Sequence, residues 1–122
     1  MLLTENIGVG NYRIQSYDSK SVLINETLYT SSVVVFPSVL IENWGPKSLE
    51  DIKIRHFRSI FSLNPETIIL GTGRKFSFLD PEKLELLLQQ KIGIECMDTG
   101  AACRTYSALN SQGRRVAAAL II

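Results

Sequence analysis

The sequence predicts a single layered α/β domain, and three observations support this fold class. Residues 33–36 and, apart from Thr67, residues 67–70 form continuously apolar runs, which are typical of strands buried on both faces. After residue 64, such runs alternate with helix-spaced apolar residues in the order β-α-β-α-β. A length of 122 residues, with 45% hydrophobic and 20% charged residues, suits one domain over residues 1–122, in which we expect residues 1–10 to be flexible.

The first half begins with a predicted β-hairpin. Residues 12–17 and 21–24 are short β-like runs on either side of Asp18-Ser19-Lys20. A further β-like stretch covers residues 27–36 and ends at Pro37. We therefore expect one hairpin followed by one longer strand.

Residues 37–47 are predicted to be irregular, because Trp44, Gly45 and Pro46 stand together there. A buried tryptophan contributes a large apolar area, so we expect Trp44 to complete the core, with a partner contact as the alternative. Helical spacing of apolar residues then predicts a helix over residues 52–63. Asn64-Pro65 ends it, because proline lacks an amide donor and disfavours helix in the preceding residue.

The second half contains two helix starts. Asp80-Pro81-Glu82 combines a capping aspartate, a proline suited to the first helical position and a glutamate suited to the positive helix end. Asp98-Thr99 opens another predicted helix, which runs to about Asn110. The predicted strands of this half are residues 67–70, 92–97 and 115–121.

Two loops of the second half form the candidate site. If the strands at 67–70 and 93–97 are parallel, the loops after them lie at one edge of the sheet, where open α/β sheets usually bind ligands. The residues that we expect to bind a ligand there are Gly71, Thr72, Gly73, Arg74, Asp98, Thr99 and Arg104.

Each loop also has a structural interpretation. Phe76 occupies the place of the third glycine of a dinucleotide fingerprint, so a tight turn with positive φ angles is favoured for Gly71-Thr72-Gly73 over an anion cradle. Asp98-Thr99-Gly100-Ala101 matches the aspartic-protease tetrad, but the predicted helix after it favours an N-cap. Arg74 and Arg104 could pair with an anion at this helix start, whereas the aspartate opposes one by its charge.

Composition limits other chemistry. The net charge of +1, from 13 basic and 12 acidic residues, gives no general attraction to nucleic acid. Cys96 and Cys103 lack the spacing of a redox or zinc site, and His56 is the only histidine. We therefore predict no metal and no cofactor, a buried Cys103 and a neutral His56.

We expect neither a signal peptide nor a membrane helix. Residues 1–6 lack the features of a signal peptide, and the longest apolar stretch, residues 116–122, is much shorter than the ~20 residues of a membrane helix. The sequence predicts a soluble, cytoplasmic protein without a transmembrane segment.

Three blocks of sequence together resemble a known family. The blocks are Pro65-Glu66 before an apolar strand and Gly71-Thr72-Gly73, then residues 93–95 with 98–106, and finally residues 113–120. In this order and spacing they are similar to the small uncharacterised-domain family that includes the mitochondrial respiratory complex I assembly factor 3. The resemblance extends from residue 12 to residue 120. The sequence departs from the family pattern at Ser107, where the family pattern leads us to expect asparagine.

The resemblance implies a three-layer α/β fold with a central mixed, partly parallel sheet, flanking helices and an N-terminal β-hairpin. It implies no established catalytic residues, and the mitochondrial relatives help to assemble a membrane enzyme complex. Because no convincing catalytic constellation is present either, we expect a non-enzymatic accessory module with a protein partner, for which a membrane complex is one candidate. The alternative is a small anion-binding protein or an enzyme at the 71–74/98–104 loop edge.

Overall fold

The computed structural model describes residues 11–122, and the expectation for residues 1–10 lies outside them. The described strands are β1 (Ile14–Tyr17), β2 (Val22–Ile24), β3 (Thr27–Tyr29), β4 (Val33–Phe36), β5 (Val39–Ile41), β6 (Thr67–Gly71), β7 (Gly93–Met97) and β8 (Val116–Leu120). The helices are α1 (Arg58–Ser62), α2 (Pro81–Leu88) and α3 (Thr99–Ser111), and 3₁₀ turns lie at Leu49–Asp51 and Ile54–Phe57.

Five strands form a central mixed sheet in the order β5-β4-β8-β6-β7. β6 is parallel to both of its neighbours, β7 and β8, whereas β4 is antiparallel to β8 and to β5. The strands at 67–70 and 93–97 are therefore parallel neighbours, as the candidate site requires. β1, β2 and β3 form a separate antiparallel sheet, so the predicted hairpin is confirmed and a third strand extends it.

Both faces of the central sheet are buried, which makes three layers. Successive side chains of a strand point to opposite faces, so Ile68 and Leu70 of β6 join one core cluster and Ile69 joins the other. The first cluster includes residues of α1 and α2, and the second includes residues of α3 and β2. The predicted three-layer arrangement is confirmed, with α1 and α2 on one face and α3 with the small sheet on the other.

The single strand predicted over residues 27–36 is wrong. The chain forms β3, leaves the small sheet near Ser31 and enters the central sheet as β4. All four residues of β4 are buried, as their apolar character predicts. β-propensity reports whether a residue suits a pleated, partly buried surface, and it carries no information on which sheet provides that surface.

Residues 37–47 are not wholly irregular, because they contain β5. Pro37 and Ser38 form a tight turn, after which Val39 pairs with Phe36 and β5 runs back along β4. Pro37 ends β4 as predicted. β5 was not predicted, because a strand of three residues is too short to produce a clear pattern in the sequence. Trp44 is only 7% exposed and its Nε1 donates to the carbonyl of His56 at 2.8 Å, so its predicted place in the core is confirmed.

The helix predicted over residues 52–63 is interrupted. Ile52 is extended, with ψ of 127°, so the two 3₁₀ turns and the short α1 replace one continuous helix. Phe57 and Ile60 nevertheless have no exposed surface, as their helical spacing suggests. Within residues 11–122, none of the helices is both long and apolar enough to cross a bilayer.

Candidate functional site

The loops after β6 and β7 are held together by backbone hydrogen bonds. The amide of Thr72 donates to the carbonyl of Met97 at 2.8 Å, and the amide of Thr99 donates to the carbonyl of Gly73 at 2.8 Å. The two loops therefore lie side by side at the carboxyl edge of the parallel strands, as the sequence predicts.

Asp98 and Thr99 shape the start of α3. The Asp98 carboxylate accepts a hydrogen bond from the amide of Ala101 at 2.9 Å, so Asp98 is the N-cap of α3. This structural role counts against the protease interpretation, in which Asp98 would be catalytic. The buried Thr99 hydroxyl donates to the carbonyl of Ile121 at 2.6 Å and accepts from the amide of Gly73 at 2.9 Å. These contacts join three segments of the chain at one point.

The residues of the glycine turn have different roles. Gly73 has a φ of +111°, which confirms the expected positive φ there, whereas Gly71 is not among the glycines with positive φ. Gly71 instead allows close packing, since a Cβ there would lie 3.1 Å from the Cα of Thr99. The Thr72 hydroxyl donates to the carbonyl of Lys75 at 2.9 Å, so it supports the loop.

An open pocket of about 260 Å³ lies against this loop edge. Of the predicted ligand-binding residues, Gly73, Arg74, Asp98, Thr99 and Arg104 line it, whereas Gly71 and Thr72 lie outside its lining. The remaining lining residues are Tyr17, Asp18, Ser19, Gly100, Ile121 and Ile122. The contribution of the hairpin to the pocket was not predicted, because nothing in the local sequence indicates that β1 ends beside α3.

Tyr17 and Arg104 form one wall of the pocket. Arg104 donates to the Tyr17 hydroxyl, and its guanidinium lies 5.8 Å from the centroid of the Tyr17 ring. Gly100 permits this contact, since a Cβ there would lie 2.7 Å from Cε2 of Tyr17. The pair combines a charge-assisted hydrogen bond with a cation–π contact, so it holds the hairpin and α3 together at the pocket mouth.

Charges of both signs line the pocket. Arg74 and Arg104 supply positive charge, and Asp18 and Asp98 supply negative charge. Hydrogen bonds from the Lys20 amide and the Ser21 hydroxyl hold the pKa of Asp18 below its ordinary value, so this carboxylate is ionised at neutral pH. A surface of this kind can form ion pairs with a partner that carries both charges.

Burial affects both of the potentially reactive side chains considered in the sequence, Cys103 and His56. Cys103 is only 1% exposed, which confirms that it is buried, and this burial raises the pKa of its thiol to about 12. Burial first and Arg55 second lower the pKa of His56, which agrees with its predicted neutral form. Within residues 11–122, no group of three or more His, Cys, Asp or Glu side chains is placed to hold a metal ion.

The fold and the site define this protein as a small three-layer α/β domain in which two βα loops and a β-hairpin border an open, mixed-charge pocket. A family profile described as "Protein of unknown function (DUF498/DUF598)" matches residues 14–121. The chain belongs to this family.

Relatives with curated names agree with this assignment. The chain is 33% identical over 110 residues to "NADH dehydrogenase [ubiquinone] 1 alpha subcomplex assembly factor 3" of Xenopus tropicalis. The aligned region covers 88% of the chain and 60% of that protein. The chain is 30% identical over 73 residues to a "13 kDa major membrane protein" of Francisella tularensis, covering 60% of the chain and 59% of the relative. The chain thus spans about 60% of the length of these relatives.

A solved structure shows the same architecture. A Xanthomonas campestris protein determined by NMR superimposes with a TM-score of 0.85 at 35% identity, covering 100% of this chain and 92% of the other. The family resemblance inferred from the three sequence blocks is therefore confirmed in sequence and in fold.

Proposed function

We propose that this chain is a non-enzymatic accessory or assembly module that acts in the cytoplasm and binds a protein partner at the pocket mouth. The observation that carries this proposal is the Tyr17–Arg104 pair, which is formed in the free protein. Tyrosine and arginine are enriched among the residues that dominate protein–protein binding energy. Because the two side chains already order each other, association costs less side-chain entropy.

The charges of the pocket favour a protein over a simple anion. Asp18 and Asp98 lie in the same lining as Arg74 and Arg104, so a small anion meets repulsion as well as attraction. A protein surface can place basic groups opposite the aspartates and acidic groups opposite the arginines. The relatives named as assembly factors support this role, and a membrane-associated complex is the partner that we propose.

Partner capture with pocket variants tests the proposal. A tagged chain is expressed in its native cells, the co-purifying proteins are identified, and retention is measured for Tyr17→Ala and Arg104→Glu. We expect each variant to lose at least about tenfold in partner retention, since truncating a dominant interface residue costs 2 kcal/mol or more.

Arg58→Glu is the matched charge-reversal control. Arg58 is exposed and begins α1, which packs against the opposite face of the sheet from α3. We expect the control to keep its partner and all three variants to keep a cooperative thermal transition. Equal retention by the pocket variants and the control would contradict the proposal.

A second candidate function is the binding of a small anionic ligand at the 71–74/98–104 edge. The favouring observation is that Arg74 is exposed and lines a pocket of about 260 Å³. Phosphate or a carboxylate metabolite would then raise the melting temperature of the wild type, and Arg74→Ala would abolish the shift. A broad anion panel that leaves the melting temperature unchanged rejects this function without affecting the protein-partner proposal.

A further inference from the structure

The loop between β6 and α2 exposes two aromatic rings. Phe78 is 80% exposed and Phe76 is 49% exposed, and their ring centroids lie 4.6 Å apart in an edge-to-face arrangement. We call residues 76–78 the Phe tip. A pair of phenylalanines so far out of the core loses apolar burial, which indicates a surface that is covered when the protein is at work.

The loop is built to hold the Phe tip outward. The Thr72 hydroxyl donates to the carbonyl of Lys75 at 2.9 Å and accepts from the amide of Ser77 at 3.2 Å, so it fixes the chain on both sides of Phe76. After the tip, Leu79 is only 3% exposed and anchors the chain in the core. The exposure of the rings therefore results from an ordered loop.

Basic charge accompanies the Phe tip. Arg74 and Lys75 directly precede it and are exposed, and residues 74–78 contain no acidic side chain. The first acidic residue after the tip, Asp80, is the N-cap of α2, where its carboxylate accepts from the amide of Glu82 at 3.0 Å. The positive charges thus lie on the N-terminal side of the Phe tip, whereas the acidic side chains that follow Leu79 belong to the start of α2.

From this arrangement we infer that the Phe tip docks the protein on an anionic lipid surface. Aromatic side chains enter the boundary between headgroups and acyl chains, and nearby lysine and arginine are attracted to acidic headgroups. A protruding pair of rings suits a soft surface that closes around it, whereas a protein partner would need a matching cleft. The inference concerns a surface other than the Tyr17–Arg104 wall and does not depend on the protein-partner proposal.

Vesicle co-sedimentation with the full chain tests this inference. The probes are vesicles of phosphatidylcholine with phosphatidylglycerol and vesicles of phosphatidylcholine alone. We expect wild-type protein to bind the anionic vesicles preferentially, with binding reduced at high salt because the ionic attraction is screened. The double variant Phe76→Ser/Phe78→Ser and the single variant Lys75→Glu should each reduce the bound fraction about tenfold or more.

Leu28→Ser is the control for loss of an exposed apolar side chain. Leu28 is 60% exposed and lies on β3, in the small sheet, so its replacement should leave vesicle binding unchanged. Wild-type protein that fails to bind anionic vesicles, or Phe-tip variants that bind as the wild type does, would overturn the inference. So would a Phe-tip variant that binds vesicles normally but loses an identified protein partner.

Discussion

At the scale of single residues, Thr99 shows how one hydroxyl can hold the candidate site together. Its oxygen lies between the amide of Gly73 and the carbonyl of Ile121, in a position that is almost closed to solvent. Removing the hydroxyl leaves both backbone groups without this partner. Buried polar groups that lose a partner pay their desolvation penalty in full.

We predict that Thr99→Val lowers the free energy of unfolding by about 1–3 kcal/mol, because valine keeps the shape of threonine but forms neither hydrogen bond. Urea denaturation measures the change. Thr105→Val is the control on the same helix, since the only hydrogen-bond partner of the Thr105 hydroxyl among residues 11–122 is the weak acceptor sulfur of Met97 at 3.4 Å. The control should change stability by less than about 0.5 kcal/mol, and equal losses in both variants would contradict the assigned role.

The sequence predicted those residue roles that depend on neighbours in the chain. The N-cap at Asp98 and the burial of Cys103 follow from helix starts and side-chain type. Tyr17 could not be found in this way, because its partner Arg104 is 87 positions away. The hydroxyl contacts of Thr99 were missed for the same reason, since Gly73 and Ile121 reach it only in the folded chain.

At the scale of elements, α2 and α3 are each followed by a residue with positive φ, but the two residues differ in type. Lys91, after α2, has a φ of +62°, and Gly113, after α3, has a φ of +77°. The left-handed region is strained for residues with a Cβ and free of that strain for glycine. A lysine at such a position lowers the stability of the helix end.

We predict that Lys91→Gly raises the free energy of unfolding by about 0.5–1 kcal/mol, and that Gly113→Ala lowers it by about 1 kcal/mol. A Cβ at Gly113 would meet no atom within 4 Å, so the loss would report backbone strain alone. Chemical denaturation measures both changes. Lys91→Ala keeps the strained backbone and should remain close to the wild type, so a gain there equal to that of Lys91→Gly would refute the explanation.

Elements were predictable where a capping residue or a run of apolar residues marks them. The Asp80-Pro81 start of α2 has the first signal and β6 has the second, and both positions agree with the structure. The division of residues 27–36 into β3 and β4 was missed because it depends on a change of sheet, and β5 was missed because it follows a two-residue turn after Phe36. Short runs that differ only in their tertiary partners look alike in sequence.

At the scale of the whole molecule, the core between α3 and the sheets contains ionisable groups that burial keeps neutral. Burial raises the pKa of Cys103 from its ordinary value of 9.0 to about 12, and it raises the pKa of Tyr106 above its ordinary value of 10.0. The Tyr106 hydroxyl donates to the carbonyl of Tyr12 at 2.7 Å, so ionisation there would also break a link between α3 and the chain leading into β1.

We predict that the melting temperature falls as the pH rises above 9.0, the ordinary pKa of the Cys103 thiol. The unfolded chain loses its proton there while the folded chain retains it, so this stabilisation is fully present below that pH and is lost as the pH approaches about 12. Thermal unfolding at increasing pH measures the fall. Cys103→Ala should show a shallower fall than the wild type, and parallel curves for the two proteins would exclude this cause.

The order of strands has a consequence for biosynthesis. β8 lies in the middle of the central sheet, between β4 and β6, yet it is the last of the described strands along the chain. While the ribosome is still making residues 116–120, the facing edges of β4 and β6 lack their partner, and unpaired strand edges invite association with other chains. The central sheet therefore cannot be completed until β8 has been synthesised, and products of termination before β8 are expected to be substrates for chaperones and proteases.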